Sequence, residues 1–317
     1  MGHRITPSRG IARVAICAGL AACVVSVAAV RPVAGQSAAP PGADSPIALV
    51  RVAVANEVAA SSNASIKHMF RSRRETRGGS QTRLYVETRE AMAGMTIAYN
   101  DHPLSPQQMQ DENVRLDRLA QNPDQLVRKH SQEKADSDRT ERIVRALPNA
   151  FLYQYDGTER GTSNLGKQGD ELVRLRFRPN PAYSPPTRVE QVLVGMRGFV
   201  LIDPAARRIA QIDGTLFKDV SFGWGFLGHL DKGGHFGVEQ AALGDGSWDI
   251  THMQLSFTGR ILLVKGLNIS LDEVFSDFRG VPADTSFARG VEMLKAEEAK
   301  LVEGHRPGTG ATTLKAH

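Results

Sequence analysis

Hydrophobic and polar positions alternate most clearly in the second half of the chain, where short apolar runs are separated by turns. Strands are predicted at 151–156, 172–178, 189–194, 199–203, 208–215, 216–222, 236–243, 249–257, 261–269 and 274–279. Turn signals such as Asp203-Pro204, Gly233-Gly234 and Thr258-Gly259 fall between them. A parallel sheet would need helices between its strands, and none fit, so the pattern predicts an antiparallel meander.

The first half of the chain predicts one helix and a β-hairpin. The helix covers 46–60, with Pro46 in its first turn. Residues 67–77 are strongly basic. Their favoured interpretation is an edge strand with solvated arginines, and the alternative is a surface patch for lipid headgroups or a partner. Strict alternation over 83–89 predicts the second strand of the hairpin, and a third strand is expected at 95–99.

Two further helices begin with clear capping signals. Ser105 and Asn122 are each followed by proline and, three residues on, by glutamine. Together they predict a charged helical hairpin inserted at 105–147. Half of residues 124–145 are charged, so the second helix is expected to be exposed and stabilised by pairs four residues apart. A solvated spacer is favoured over a partner surface or movable arm. A last amphipathic helix is predicted over 286–303, followed by a disordered tail.

The N-terminus is predicted to be a secretory signal peptide. A basic segment, 1–13, precedes an apolar run, 14–30, that is shorter than the roughly 20 residues needed to span a bilayer. Small residues precede Gln36, as signal peptidase requires, so residues 1–35 are expected to be removed. An uncleaved anchor is one alternative. Another is lipidation of Cys23, which ends a lipobox-like Leu-Ala-Ala-Cys.

Charge and cysteine usage agree with export. The whole chain carries +5, but residues 1–35 contain four of its 39 basic residues and no acid, which leaves 35 basic against 34 acidic residues. This near-neutral balance argues against a nucleic-acid partner. Both cysteines, Cys17 and Cys23, lie in the leader, so the mature chain is expected to have neither disulfides nor thiol chemistry. The combination is typical of a bacterial envelope protein.

The sequence carries no motif for catalysis, metal binding or phosphate binding. His229, His235 and His252 lack a recognised ligand spacing, and scattered polar histidines are the favoured interpretation. There is no G-x-S-x-G elbow and no mature cysteine nucleophile. The G-x-G-x-x-G string at 223–228 lacks the βαβ unit of a dinucleotide site. We therefore expect a protein that is not an enzyme and uses no metal or cofactor.

Aromatic and aliphatic residues stand among glycines at the end of the stretch 188–237. Glycine lets a strand bend, so this stretch is expected to curve. The large side chains then either fill the core of the curved sheet or line an apolar pocket for an acyl chain. The candidates for lining or bracing such a cavity are Phe217, Phe222, Trp224, Phe226, Leu227 and Phe236.

Three strings resemble an uncharacterised family of exported proteins common in acidobacteria. They are FRPNP at 177–181 followed by Pro185-Pro186, GFVLID at 198–203 and DGTLFKDVSFGWGFLGHLDKGGHF at 213–236. At the level of fold, the order of signal, helix, curved antiparallel sheet and covering helices is similar to the outer-membrane lipoprotein carrier superfamily, which includes LolA, LolB and RseB-like half-barrels. That resemblance implies an apolar cavity for lipoprotein acyl chains, whereas related sensor-type domains bind partner proteins.

The expected fold is therefore α+β, with a curved antiparallel sheet, an open half-barrel, covered by helices. Its expected parts are a signal peptide (1–35), a linker (36–45), a half-barrel domain (46–280) with the insertion at 105–147, and a C-terminal helix and tail (281–317). The expected function is non-catalytic binding of lipid or lipoprotein acyl chains in the periplasm, with peripheral membrane contact. The alternative is an envelope protein-interaction or sensing domain that uses the charged helical insertion.

Overall fold

The computed structural model describes residues 45–62, 66–222, 228–261 and 265–304. The expected signal peptide, almost all of the linker and the C-terminal tail lie outside these ranges. The α-helices are α1 (Pro46–Ser62), α2 (Pro106–Ala120), α3 (Pro123–Ala150) and α4 (Phe287–Gly304), and a 3₁₀ helix covers Glu190–Gly195.

Within the described residues, thirteen strands form one antiparallel sheet. They are β1 (Lys67–Thr76), β2 (Gly79–Val86), β3 (Ala93–Tyr99), β4 (His102–Pro103), β5 (Phe151–Arg160), β6 (Glu171–Pro179), β7 (Met196–Asp203), β8 (Arg208–Leu216), β9 (Val220–Phe222), β10 (Gly228–Leu230), β11 (His235–Ala242), β12 (Trp248–Ile261) and β13 (Lys265–Val281). Their order is β4-β3-β2-β1-β13-β12-β11-β8-β7-β6-β5, and the short pair β9–β10 joins β12 through β10. The sheet is open, with β4 and β5 at its two ends.

This architecture confirms the expected α+β class with an open antiparallel sheet and helices. Four local expectations were wrong, and the first is the turn at Thr258-Gly259, since both residues lie inside β12. The basic strand β1 is not an edge strand but lies between β2 and β13. Residues 189–194 form the 3₁₀ helix rather than a strand. The two strands expected at 261–269 and 274–279 belong to one strand, β13.

The sheet buries apolar side chains on both faces. Successive residues of a strand point to opposite sides, so Met69 and Phe70 of β1 mark two faces, which we call the outer and the inner face. Helix α4 covers the outer face of β1–β3. Its apolar side chains Phe287, Val291 and Leu294 pack in one cluster with those of β2 and β3. The capping serine of α2, Ser105, makes the predicted reciprocal bonds with Gln108.

Helix α3 runs along the inner face between the two halves of the sheet. Glu133 accepts a hydrogen bond from the amide of Met92, just before β3, at 3.1 Å. Leu147 packs in the same cluster as Phe177 of β6. The helix advances about 21 Å between Glu133 and Leu147. A flat sheet would place β3 and β6 about 38 Å apart, because eight strand spacings separate them. The sheet therefore curves around α3.

Candidate functional site

A strip of half-buried apolar side chains crosses the middle of the inner face. Its members are Ile212 of β8, Phe236 of β11 and Leu267, Ile269 and Leu271 of β13. Phe236 and Leu271 flank Leu255 of β12 in register, which makes the strip continuous across three strands. Strand β1 ends opposite Leu271, so the pairing of β13 with β1 stops where the strip begins. We call these five side chains the apolar strip.

The middle of α3 provides no apolar cover for this face. Between Arg128 and Arg142 its only apolar residue is Ala135, which is exposed. The charged side chains there pair along the helix, as in Lys134 with Asp138 at 2.8 Å. Charged pairs of this kind keep a helix soluble and contribute little to stability. The half-buried apolar strip thus lies on the same side of the sheet as a polar helix.

The inner face of β5–β8 is filled by the protein's own core. Val50 and Val54 of α1 pack with Val144 and Leu147 of α3 and with the side chains of β5–β8 in the largest apolar cluster. Glu57 of α1, whose side chain is 3 % exposed, forms a bidentate ion pair with Arg208 of β8. This end of the inner face is therefore closed by α1.

The six residues predicted to line a cavity fall into three groups. Phe222 is buried in the large inner-face cluster, and Phe236 is half-buried beside it. Phe217 is half-buried in the connection between β8 and β9, with the cations of Arg197 and Lys218 5.9 and 5.6 Å from its ring centre. The remaining three, Trp224, Phe226 and Leu227, lie outside the described residues.

The proline-rich loop 179–186 packs a tyrosine against the same face. Tyr183 contacts the large cluster, and its buried hydroxyl has no hydrogen-bond partner among the described residues. Burial, with a smaller contribution from the charge of Glu190, raises the pKa of Tyr183 to about 12. The phenol is therefore neutral at physiological pH and acts as a packing group with an unsatisfied polar end.

A buried ion pair on the inner face was not predicted from sequence. Glu273 of β13 has a fully buried side chain and pairs with Arg74 of β1 at 2.8 Å, while Ser72 donates its hydroxyl to the same carboxylate. Burial lowers the pKa of Arg74, but the charges of Glu273 and Tyr85 and the hydrogen bond to Glu273 together outweigh it, so the pKa is raised. The two residues are 199 positions apart in the sequence, so no local sequence pattern predicts their pairing.

A second polar cluster superficially resembles a catalytic triad. The Nε2 atom of buried His68 lies 3.4 Å from Ser247 Oγ and 2.8 Å from Asp245, and Nδ1 lies 3.8 Å from Asp249. However, Ser247 donates its hydroxyl to Asp245 at 2.5 Å and not to the histidine. A base that does not accept the serine proton cannot activate it. The cluster instead ties the β11–β12 turn to β1.

The histidines considered as metal ligands do not converge. Each pairs with a separate carboxylate, and the pairs are His229–Asp231 at 3.1 Å, His235–Asp213 at 2.9 Å and His252–Asp272 at 3.1 Å. Within residues 45–62, 66–222, 228–261 and 265–304, no group of three or more His, Cys, Asp or Glu residues is arranged to hold a metal ion.

Comparison with known proteins gives no relative. No family model matches the sequence, and neither a curated protein nor a solved structure matches it. Among the helices in the described part of the chain, none is both long and apolar enough to cross a membrane.

Proposed function

We propose that this protein binds a lipid acyl chain, or the acyl chains of a lipoprotein, along the apolar strip, without catalysis. The observation that carries the proposal is the contrast between the half-buried side chains of the strip and the polar middle of α3 on the same side of the sheet. An acyl chain gains about 0.8 kcal/mol for each methylene removed from water. A chain lying on the strip would supply the apolar cover that α3 lacks.

In this proposal α2 and α3 act as an inserted helical hairpin that covers the bound chain. Helix α3 is attached at two points, by Glu133 in its first half to the amide of Met92 and by Leu147 near its C-terminus to the large inner-face cluster. The polar stretch between them then faces water on one side and shields the ligand on the other. The signal-like residues 1–35 and the neutral mature composition support a site of action in the bacterial envelope.

Titration with a fluorescent fatty acid tests the proposal. The wild-type protein should show saturable uptake, and Ile269→Gln on the strip should weaken it about tenfold, because a polar amide replaces the apolar contact. Val274→Gln is the matched control, since Val274 lies on the same strand, points to the outer face and is 45 % exposed. No saturable uptake, or equal weakening by both variants, would refute acyl binding at the strip.

A partner-binding role for the helices is a second candidate, favoured by one observation. Val127 of α3 is 65 % exposed, which is high for a large apolar side chain on a structured helix. The basic segment 67–77 gives less support, because Arg71 pairs with Asp277 and Arg74 with Glu273. Retention of one envelope protein by the wild type but not by Val127→Asp, with fatty-acid uptake unchanged in both, would favour this role over the first.

A further inference from the structure

A cavity lies between the sheet and the helical pair, away from the apolar strip. It has a volume of about 310 Å³ and is bounded by the inner side of β2 and β3 and by α2 and α3. Apolar surface comes from Tyr85, Met92 and Leu119, and most of the remaining lining is polar or cationic. The cavity is much larger than a water molecule and is open to solvent, so it can admit a small organic molecule.

The charges that line this cavity do not cancel. Glu112 is the one carboxylate among the described lining residues, and it already accepts two hydrogen bonds from Arg115, at 2.7 and 2.8 Å, and one from the Thr96 amide. Burial raises the pKa of Glu112, but the hydrogen bonds from Arg115 and Thr96 and the charge of Arg83 lower it overall, so the carboxylate is ionised at neutral pH. Lys129 is neutralised separately by Glu133, at 2.7 Å.

Two arginines of the lining have no carboxylate within ion-pair distance among the described residues. Arg83 of β2 donates from Nη1 to the hydroxyl of Tyr85 at 3.3 Å, and its solvent-inaccessible Nε has no partner among the described residues. Arg128 of α3 lines the same cavity, and no carboxylate of the described chain lies within ion-pair distance of it. The lining together with Glu133 therefore carries an excess of two positive charges.

We infer that this cavity binds a phosphate group, with Arg83 and Arg128 as its cationic ligands and the apolar wall against the organic part of the molecule. A phosphate monoester carries about −1.5 to −2 charges at neutral pH, which matches the excess of the cavity. Guanidinium groups present paired donors that suit phosphate oxygens. A lipid headgroup and a soluble phosphate ester share this chemistry. The site is separate from the apolar strip and does not depend on the acyl-binding proposal.

Calorimetric titrations of the full mature chain with three probes test the inference. The probes are inorganic phosphate, dodecyl phosphate below its micelle concentration, and dodecyl maltoside as a neutral amphiphile. Arg83→Gln and Arg128→Gln should each weaken dodecyl phosphate binding by tenfold or more, since a charge-assisted hydrogen bond is worth about 1.5–3 kcal/mol. Arg142→Gln is the matched control, because this exposed arginine lies on the same helix about 21 Å from Arg128.

The three probes distinguish a lipid headgroup from a soluble phosphate ester. They also distinguish the phosphate-binding inference from the acyl-binding proposal. Inorganic phosphate that binds with the same arginine dependence identifies a soluble phosphate ligand, and arginine-dependent binding of dodecyl phosphate without binding of inorganic phosphate identifies a lipid headgroup. Absence of binding by both phosphates, or equal loss in Arg128→Gln and Arg142→Gln, would overturn the inference. Dodecyl maltoside binding reports on the apolar strip independently. Circular dichroism checks the fold of Arg83→Gln. If that variant unfolds, Arg128→Gln still tests the inference, because Arg128 is exposed and its replacement should not disturb the fold.

Discussion

Glu57 of α1 accepts hydrogen bonds from Nε and Nη2 of Arg208 on β8, at 2.8 and 2.9 Å. The same carboxylate accepts hydrogen bonds from the backbone amide of Ile209 and from the side-chain amide of Gln240. Four donors thus converge on one buried acid of the helix that closes the inner face. A buried charge is tolerated when its partners satisfy it completely, and this arrangement meets that condition.

Replacing Glu57 by alanine should destabilise the protein by about 3–5 kcal/mol, because Arg208 then remains buried without its counter-charge. Urea denaturation followed by circular dichroism measures the change. Glu141→Ala is the control, since Glu141 pairs with Arg145 on the exposed side of α3 and its loss should cost less than about 1 kcal/mol. Similar losses of stability in Glu57→Ala and Glu141→Ala would show that the hydrogen bonds of Glu57 do not hold α1 in place.

A pair of glycines allows β7 and β8 to approach closely. Gly198 lies opposite Gly214, and a Cβ atom at Gly198 would stand 1.8 Å from the backbone oxygen of Asp213. Gly198→Ala should therefore cost about 3 kcal/mol through backbone displacement. Gly280→Ala in β13 is the control, because a Cβ atom there meets nothing within 4 Å and should change stability by less than about 0.5 kcal/mol. Equal urea-denaturation midpoints for Gly198→Ala and Gly280→Ala would contradict this account.

The parts of the fold that depend on local chemistry were predictable from the sequence. Capping residues Ser105 and Asn122 predicted the starts of α2 and α3, and both accept the expected backbone amide. Alternation in β2 placed Leu84 and Tyr85 on opposite faces. The predictions of these features are correct because each feature is determined by residues within a few positions of one another.

The parts that depend on distant partners were not predictable. Strand β1 was expected at an edge because its arginines looked solvated, yet Arg74 is paired with Glu273 from the far end of the chain. The apolar run Val192-Leu193-Val194 suits a strand or a buried helical turn equally well, and here two of its residues are buried in the 3₁₀ helix. The phosphate-binding cavity likewise combines two strands and two helices that no single stretch of sequence reveals.

The polar cluster around His68 should make stability depend on pH in the acid range. Burial raises the pKa of Asp245, but hydrogen bonds from Ser247 and His68 outweigh it and lower the pKa to about 2 from 3.8. A lowered pKa contributes stability above the unfolded-state value of 3.8, and that contribution is lost as pH falls towards 2. Because the side chain is 36 % exposed, solvent screening keeps the effect small.

The comparison of wild type with Asp245→Asn isolates this contribution. The difference between their urea midpoints should be constant above about pH 5 and shrink as the pH approaches 2, while Ser247→Ala should shift the decline towards higher pH, because one hydrogen bond to the carboxylate is lost. A midpoint difference that does not vary across this range would mean that Asp245 titrates in the folded protein as it does in the unfolded chain.

Detaching the first half of α3 should speed ligand entry if the helix covers the apolar strip. Glu133 holds this part of the helix through the amide of Met92, and its side chain is 11 % exposed. Glu133→Ala should increase hydrogen exchange in the first half of α3 and raise the association rate of a fluorescent fatty acid several-fold, since lids open by local release of such contacts. Asp138→Ala is the matched control, because Asp138 pairs only along the exposed helix surface with Lys134. Faster hydrogen exchange in α3 without faster association of the fatty acid would show that α3 opens but does not limit access to the strip.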